Sequence, residues 1–313
     1  MISTYAVTFP GQGAQYVGMG RELIEESKKA REIFERASER LDLDMIALCT
    51  EGPSEKLSLT EYTQPALLTL SIAVWEVLKA QGISEPAMAA GLSLGEYTAL
   101  VAAGALEFED ACWLVRQRGR YMQEAVPKGV GAMAAVIGLT AEEVGSVCAE
   151  LGDAHDGVIG GANFNCPGQV VISGHRELVL TACAKLKERG AKRAVVLDVS
   201  APFHSPLMEP ARDRLAEAME AVTFEKARFP VIGNAWVRPI ESPTEIREAL
   251  LLQMTAPVEW ESSVRWMLDQ GVETFVEAGP GRTLTGFLRR IERSANGLNC
   301  EGPDEIKKVA ESL

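Results

Sequence analysis

The stretch Gly91-Leu92-Ser93-Leu94-Gly95-Glu96 has the G-x-S-x-G form of a nucleophile elbow, which sets a serine on a sharp turn between a strand and a helix. Glycine at both ends lets the backbone crowd there without a Cβ clash. Apolar Ala87 to Ala90 can form the short strand before the turn, and Glu96 to Ala103 reads as a buried helix after it. The backbone N–H of Leu94 and the helix N-terminus would then lie beside Ser93, where they could stabilise negative charge on an attacked carbonyl. The same spacing also suits an ordinary tight turn, and at this level both readings stand. A serine hydroxyl is a weak nucleophile near neutral pH, so Ser93 needs a base within reach, and histidine is the usual supplier. The chain has three histidines. His155 lies among Asp153, Ala154 and Asp156 in an expected surface loop and His175 starts a helix, so solvated roles suit both. His204 sits in the proline-bracketed loop Ala201-Pro202-Phe203-His204-Ser205-Pro206, after a strand, where α/β enzymes commonly carry functional groups. A buried structural histidine is the alternative there.

These residues need elements to position them. Tyr5 to Phe9 reads as a first strand, followed by the loop Pro10-Gly11-Gln12-Gly13-Ala14-Gln15 with its exposed backbone donors. Helical spacing covers 21–41, and Pro65 suits the first position of a helix running to about Ala80 that is apolar on nearly every face. A further helix is expected from Glu107 to Glu124. After Pro127-Lys128-Gly129 the pattern changes. Strands at 132–138, 157–163, 169–173 and 194–199 alternate with helices at 140–151 and 177–189, in the order β-α-β-β-α-β of a ferredoxin-like unit. Beyond it, strands at 231–234 and 274–277 and helices at 208–221, 244–252, 261–269 and 283–293 resume the first pattern, and the tail after Ala295 shows only a short terminal helix. The expected class is α/β: a mostly parallel sheet covered on both faces, in residues 1-127 and 200-313, interrupted by the small unit 128-199.

Composition narrows the function classes. The 313 residues are 47% hydrophobic and 24% charged, as in ordinary globular proteins. A formal charge of −13 argues against broad attraction to nucleic acid or to an anionic membrane. Six scattered cysteines without a C-x-x-C pair fit reduced thiols, and no Cys/His/carboxylate cluster suggests a metal. With neither an export signal nor a span-length apolar run, a cytoplasmic protein is expected.

Seven motifs stand in order along nearly the whole chain: 10–15 (PGQGAQ), 62–66 (YTQPA), 91–96 (GLSLGE), 118–123 (RGRYMQ), 163–169 (NFNCPGQ), 203–205 (FHS) and 279–281 (GPG). Together they resemble the malonyl-CoA:acyl-carrier-protein transacylases of fatty-acid synthesis and the related polyketide synthase acyltransferases. The resemblance implies an α/β-hydrolase-like core with a ferredoxin-like insert. It also implies a ping-pong transfer in which Ser93 carries the acyl group and His204 moves the proton. By the same resemblance the oxyanion donors are the N–H groups of Gln12 and Leu94, and Arg118 anchors the malonyl carboxylate through paired hydrogen bonds. Gln64 and Gln253 match positions near the active site, with a backbone carbonyl in the Gln253 segment orienting His204. An ion pair of Arg118 with Glu124 is the competing reading of that arginine.

Leu92 stands where the family often has histidine or another polar residue, so a contact to the acyl group is expected to be missing. Phe203 resembles the pattern that favours malonyl over methylmalonyl. The implied partners are malonyl-CoA and the holo acyl carrier protein, with no cofactor, no metal and a monomeric chain. Because carrier proteins are acidic, a local basic face is needed. Lys185, Lys187, Arg189, Lys192 and Arg193 are candidates, and Arg289 and Arg290 are the ones assigned to docking. A free-standing polyketide acyltransferase, a serine esterase or thioesterase, and a non-catalytic acyl-binding module are the competing readings.

Overall fold

The computed structural model describes residues 4–199 and 201–313. Residues 1–3 and Ser200, which begin the two expected stretches of the larger unit, lie outside the described residues. The chain opens with β1 (Tyr5–Phe9), buried throughout, and then α1 (Arg21–Glu26) and α2 (Lys28–Leu41). The single helix expected over 21–41 is thus two. Ser27 turns extended between them, and its Oγ accepts the Ala30 N–H at 3.3 Å to cap α2. The short α3 (Met45–Thr50) and α4 (Ser54–Leu57) lead into α5 (Thr60–Ala80).

Pro65 does not start α5, as its position suggests, but lies inside it. The Leu59 carbonyl accepts the Tyr62 and Thr63 N–H groups, both at 2.8 Å, and Gln123 Oε1 accepts that of Glu61 at 3.1 Å. The first turn is therefore closed ahead of the proline, whose own φ suits a helix. From Thr63 to Trp75 every residue of α5 is buried, which makes it the central packing element.

The elbow joins β2 (Met88–Gly91) to α6 (Leu94–Ala102), and α7 (Phe108–Glu124) follows. Next come β3 (Gly131–Ile137), α8 (Ala141–His155), β4 (Ile159–Cys166), β5 (Gln169–His175), α9 (Arg176–Glu188) and β6 (Arg193–Val196). Thr140 and Glu143 form a capping box on α8. The helix runs past the expected end at Leu151 until left-handed Asp156 closes it, with its N–H on the Gly152 carbonyl. His155 is consequently an exposed last-turn residue and not a loop residue.

The chain then forms α10 (Glu209–Ala218), β7 (Val231–Ile232), β8 (Pro239–Ile240), α11 (Pro243–Thr255), α12 (Trp260–Asp269), β9 (Thr274–Ala278), α13 (Thr283–Ile291), β10 (Asn296–Cys300) and α14 (Pro303–Ser312). β10 is absent from the sequence expectation. Asn296-Gly297-Leu298-Asn299-Cys300 has no β-branched residue, and parallel pairing with β9 makes it a strand.

The larger sheet has the order β10-β9-β1-β2-β7-β8, parallel except for the antiparallel edge strand β8. The smaller is antiparallel in the order β4-β5-β3-β6, with α8 and α9 packed on it over a core of its own around Val136, Val147, Ile172 and Leu186. Among the described residues, two sets of hydrogen bonds help to join the two units, beside the packing of Met133 and Val171 into the larger core. The Phe164 N–H meets the Val258 carbonyl at 2.9 Å and the Val258 N–H meets the Ala162 carbonyl at 2.8 Å, while Arg290 on α13 donates to Gln169 Oε1 (2.7 Å) and the Pro167 carbonyl (2.6 Å) in the β4–β5 turn. Among the described residues no helix is long and apolar enough to cross a membrane.

Candidate active site

At the carboxyl ends of adjacent parallel strands the chain leaves β1 toward Gln12, β2 toward Ser93 and β7 toward Asn234, the end of such a sheet where ligands bind. Ser93 itself is strained, with φ 54 and ψ −101, a conformation that costs roughly 1–3 kcal/mol for a non-glycine residue. The tight turn exists because its flanks are glycine. A Cβ on Gly91 would lie 2.0 Å from the Gly95 carbonyl, and one on Gly95 would lie 2.2 Å from the Phe9 carbonyl oxygen of β1. Asn234 then clamps the turn: its Oδ1 accepts the Ser93 N–H at 2.7 Å and its Nδ2 donates to the Gly91 carbonyl at 2.7 Å.

His204, in a buried loop and itself at φ 55, brings Nε2 to 2.8 Å from Ser93 Oγ. Its Nδ1 lies 2.8 Å from the Gln253 carbonyl, which can only accept, so the proton sits on Nδ1 and the Nε2 lone pair faces the serine. Burial, reinforced by the Arg118 charge, pushes the imidazole pKa down to about 4, so it is neutral at pH 7 and able to take a proton. Asp198, near His204 in sequence, is exposed.

Arg118, from α7, is fully buried. Its Nη2 donates to Ser93 Oγ at 3.1 Å and to Gln253 Oε1 at 2.9 Å, its Nη1 donates to Gln64 Oε1 at 2.9 Å, and its Nε has no partner among the described residues. The guanidinium also lies 5.3 Å from the centre of the Tyr97 ring. Burial pulls its pKa below the usual arginine value. The alternative ion pair with Glu124 is absent, because that carboxylate binds Arg214 at 2.7 Å.

A cavity of about 180 Å³ joins these groups, lined by Gln12, Gln64, Leu92, Ser93, Leu94, Arg118, Phe203 and His204. Leu94 opens α6, so its N–H has no partner within the helix. The Gln12 side chain reaches Thr60 Oγ1 at 3.4 Å. Val171, Leu197 and Phe287 complete an apolar wall, and Asn165, also lining the cavity, leaves Oδ1 without a partner among the described residues. Gln253, buried under the serine, donates from Nε2 to the Ser93 carbonyl at 2.9 Å and to Glu96 Oε2 at 2.8 Å.

Arg289 and Arg290 are exposed on α13 and do not line this cavity, although Thr283 and Phe287 of the same helix do. The two arginines expected to dock a carrier differ, since Arg290 is committed to the β4–β5 turn through hydrogen bonds to Gln169 and Pro167. Lys185 and Arg189 share the carboxylate of Glu150, at 2.7 and 2.8 Å. Among the described residues no group of three or more His, Cys, Asp or Glu could hold a metal. The six cysteines are buried, and burial pushes the Cys112 thiol up to about 12, far from a reactive thiolate.

Sequence reasoning missed Asn234 and gave Glu96 no task. Asn234 follows a two-residue strand with no local motif, and its distance from Ser93 along the chain hides the contact. A carboxylate inside the otherwise apolar helix after the elbow was the available signal for Glu96.

Residues 7–303 match the acyl transferase domain family. The malonyl CoA-acyl carrier protein transacylase of Bacillus subtilis is 45% identical over 100% of this chain and 98% of its own length, and that of Escherichia coli K12 is 48% identical over 95% and 96%. Among solved structures, the malonyl CoA-acyl carrier protein transacylase of Coxiella burnetii superposes with a TM-score of 0.98 at 43% identity, covering 100% of this chain and 98% of that one. A malonyl-transacylase solved in complex with its type II PKS acyl-carrier protein has a TM-score of 0.97 at 42% identity, covering 99% and 100%. This chain belongs to the malonyl CoA-acyl carrier protein transacylase family.

Proposed function

We propose that the protein transfers the malonyl group from malonyl-CoA to the phosphopantetheine thiol of acyl carrier protein, through a malonyl ester of Ser93. The observation that carries this reading is the meeting, on one oxygen, of a base and a cation: Ser93 Oγ lies 2.8 Å from His204 Nε2 and 3.1 Å from Arg118 Nη2. His204 takes the hydroxyl proton as Oγ attacks the thioester carbonyl, and the backbone N–H groups of Leu94 and Gln12 hold the resulting oxyanion. When the C–S bond breaks, His204 returns the proton to the coenzyme A sulfur. In the second half the carrier thiol gives its proton to His204 and attacks the ester, and Ser93 leaves as the alcohol. One thioester replaces another of similar energy, so no cofactor is required.

Arg118, whose Nε has no partner among the described residues, takes the free carboxylate, while Phe203 occupies the space of a methyl branch. Leu92, which lines the cavity, adds an apolar contact. The fold reading that accompanies this function is an α/β-hydrolase-like unit of 1-127 and 200-313 carrying a ferredoxin-like unit of 128-199, supported by the β-α-β-β-α-β order and the separate core. The proposed compartment is the cytoplasm, and Arg289 is the proposed docking contact for the acidic carrier of fatty-acid synthesis.

Intact mass after incubation with malonyl-CoA tests the reading. Wild type gains one malonyl group and Ser93→Ala none, with the circular dichroism spectrum unchanged. Arg118→Ala loses at least a hundredfold in malonyl loading, about 2.7 kcal/mol, and far less in acetyl loading. An adduct on Ser93→Ala, or equal losses for the two acyl groups, refutes it.

A further inference from the structure

Glu96 is fully buried in the first turn of α6, yet no acyl-transfer step employs it. Its Oε2 accepts the Asn234 N–H at 2.9 Å and Gln253 Nε2 at 2.8 Å. Its Oε1 has no partner among the described residues. Gln253 is the connector, because the same amide presents Oε1 to Arg118 Nη2 at 2.9 Å. A buried carboxylate and a buried guanidinium therefore face one another across one amide, with no direct ion pair between them among the described residues.

The charged and titratable groups around Glu96 are Arg118 from α7, Tyr97 beside it on α6 and, beyond Arg118, His204 from the loop after β6. Asn234 and Gln253 contribute dipoles alone. Burial raises the Tyr97 hydroxyl and lowers the His204 imidazole, so both are neutral near pH 7. Arg118 is then the local cation, and above about pH 7 Glu96 is the anion that balances it. A malonyl carboxylate arriving on Arg118 places a second anion in the same low-dielectric floor, and the cheapest relief is to protonate the carboxylate already there. The unpartnered Oε1 is free to carry that proton. Acetyl brings no charge and demands no such change.

We propose that Glu96 is the counter-charge of Arg118 and a specificity-determining residue for the acyl group, taking up one proton from solvent when malonyl, but not acetyl, is loaded. This rests on the reading of Arg118 as the carboxylate anchor. Burial already holds the Glu96 carboxyl at about 7, so the uptake is a small step near neutrality. Above that pH the proton must be supplied to an ionised group, and malonyl loading weakens relative to acetyl loading by up to tenfold per pH unit.

Acylation rates of the full-length enzyme by malonyl-CoA and acetyl-CoA, measured from about pH 6 to about 9, test this, since the malonyl carboxylate is ionised throughout. Taking the ratio of the two cancels the ionisation of His204, that of the coenzyme A phosphates and any change in folded fraction. The expected wild-type ratio falls at least tenfold between about pH 7 and about 9. In Glu96→Gln the ratio is flat and, at alkaline pH, exceeds that of wild type. A wild-type ratio that is flat with pH, while malonyl preference persists and still depends on Arg118, overturns the role of Glu96 alone. A preference indifferent to Arg118→Ala overturns the anchor reading and this proposal with it. If Glu96→Gln does not fold, the wild-type ratio decides.

Discussion

His204 shows how the site solves the problem of a base in a dry cavity. Its Nδ1 proton is held by a backbone carbonyl and not by an acid, so no negative charge raises its basicity, and burial and then Arg118 depress its pKa to about 4. Acetyl loading should accordingly persist as pH falls through the ordinary histidine value of about 6.5 and disappear only toward about 4. In Arg118→Ala the acid limb should move upward, yet remain below about 6.5 because burial stays. The depressed pKa also carries a stability cost. Between about 6.5 and about 4 the unfolded chain binds a proton that the folded chain does not, so stability is lost as pH falls through that window and rates must be normalised to the folded fraction. An acid limb near 6.5 in wild type would show that the imidazole is solvated. Residue chemistry of this kind is only partly legible in a sequence. The types of Ser93, His204 and Arg118 announce themselves, whereas the roles of Gln253 and Asn234 depend on contacts spanning more than a hundred residues of chain.

At the scale of elements, the elbow works because α6 can begin almost in contact with β1. Gly95→Ala sets a methyl 2.2 Å from the Phe9 carbonyl oxygen, a backbone atom that cannot swing away. The expected loss is about 3 kcal/mol of stability, read from the urea midpoint, together with loss of Ser93 acylation. Gly145→Ala on the exposed face of α8, with no atom within 4 Å of the added methyl, is the control, and it should be neutral or stabilising by up to about 1 kcal/mol. Equal effects at the two positions would remove the packing argument. Elements with strong periodicity were readable: β1 and α7 fall where spacing places them, to within a residue. The breaks were not. Ser27 and Asp156 end or start helices through caps, and β10 and the two-residue β8 exist through their neighbours, so their own residues carry little signal.

At the scale of the molecule, a chain of charge −13 must receive an acidic carrier, and the electrostatics of that encounter are local. Arg289 is exposed on α13 at the edge of the smaller sheet, whereas Arg290 holds α13 to the β4–β5 turn and Lys185 and Arg189 share the single carboxylate of Glu150. Arg289→Glu should raise the KM for the carrier about three- to tenfold at low ionic strength, and salt near 1 M should erase the difference. A KM that does not change at low salt would place docking elsewhere. Reversing Arg290 as well would confuse the result by opening the seam between the sheets.

The apolar saturation of the 65–80 helix and the β-α-β-β-α-β run were enough by themselves to specify an α/β protein, because local spacing encodes turns, faces and strand alternation, whereas acyl transfer by a serine and a histidine came from the resemblance that the ordered motifs carry. Tertiary structure alone decided how that serine is held and what surrounds its charge. Asn234 and Gln253 come from distant strand and helix ends, and Glu96 becomes a counter-charge only when Gln253 is inserted between it and Arg118. Hydrogen bonds across such separations leave no periodicity in the sequence, since their geometry exists only after the parallel sheet has gathered its carboxyl ends on one side.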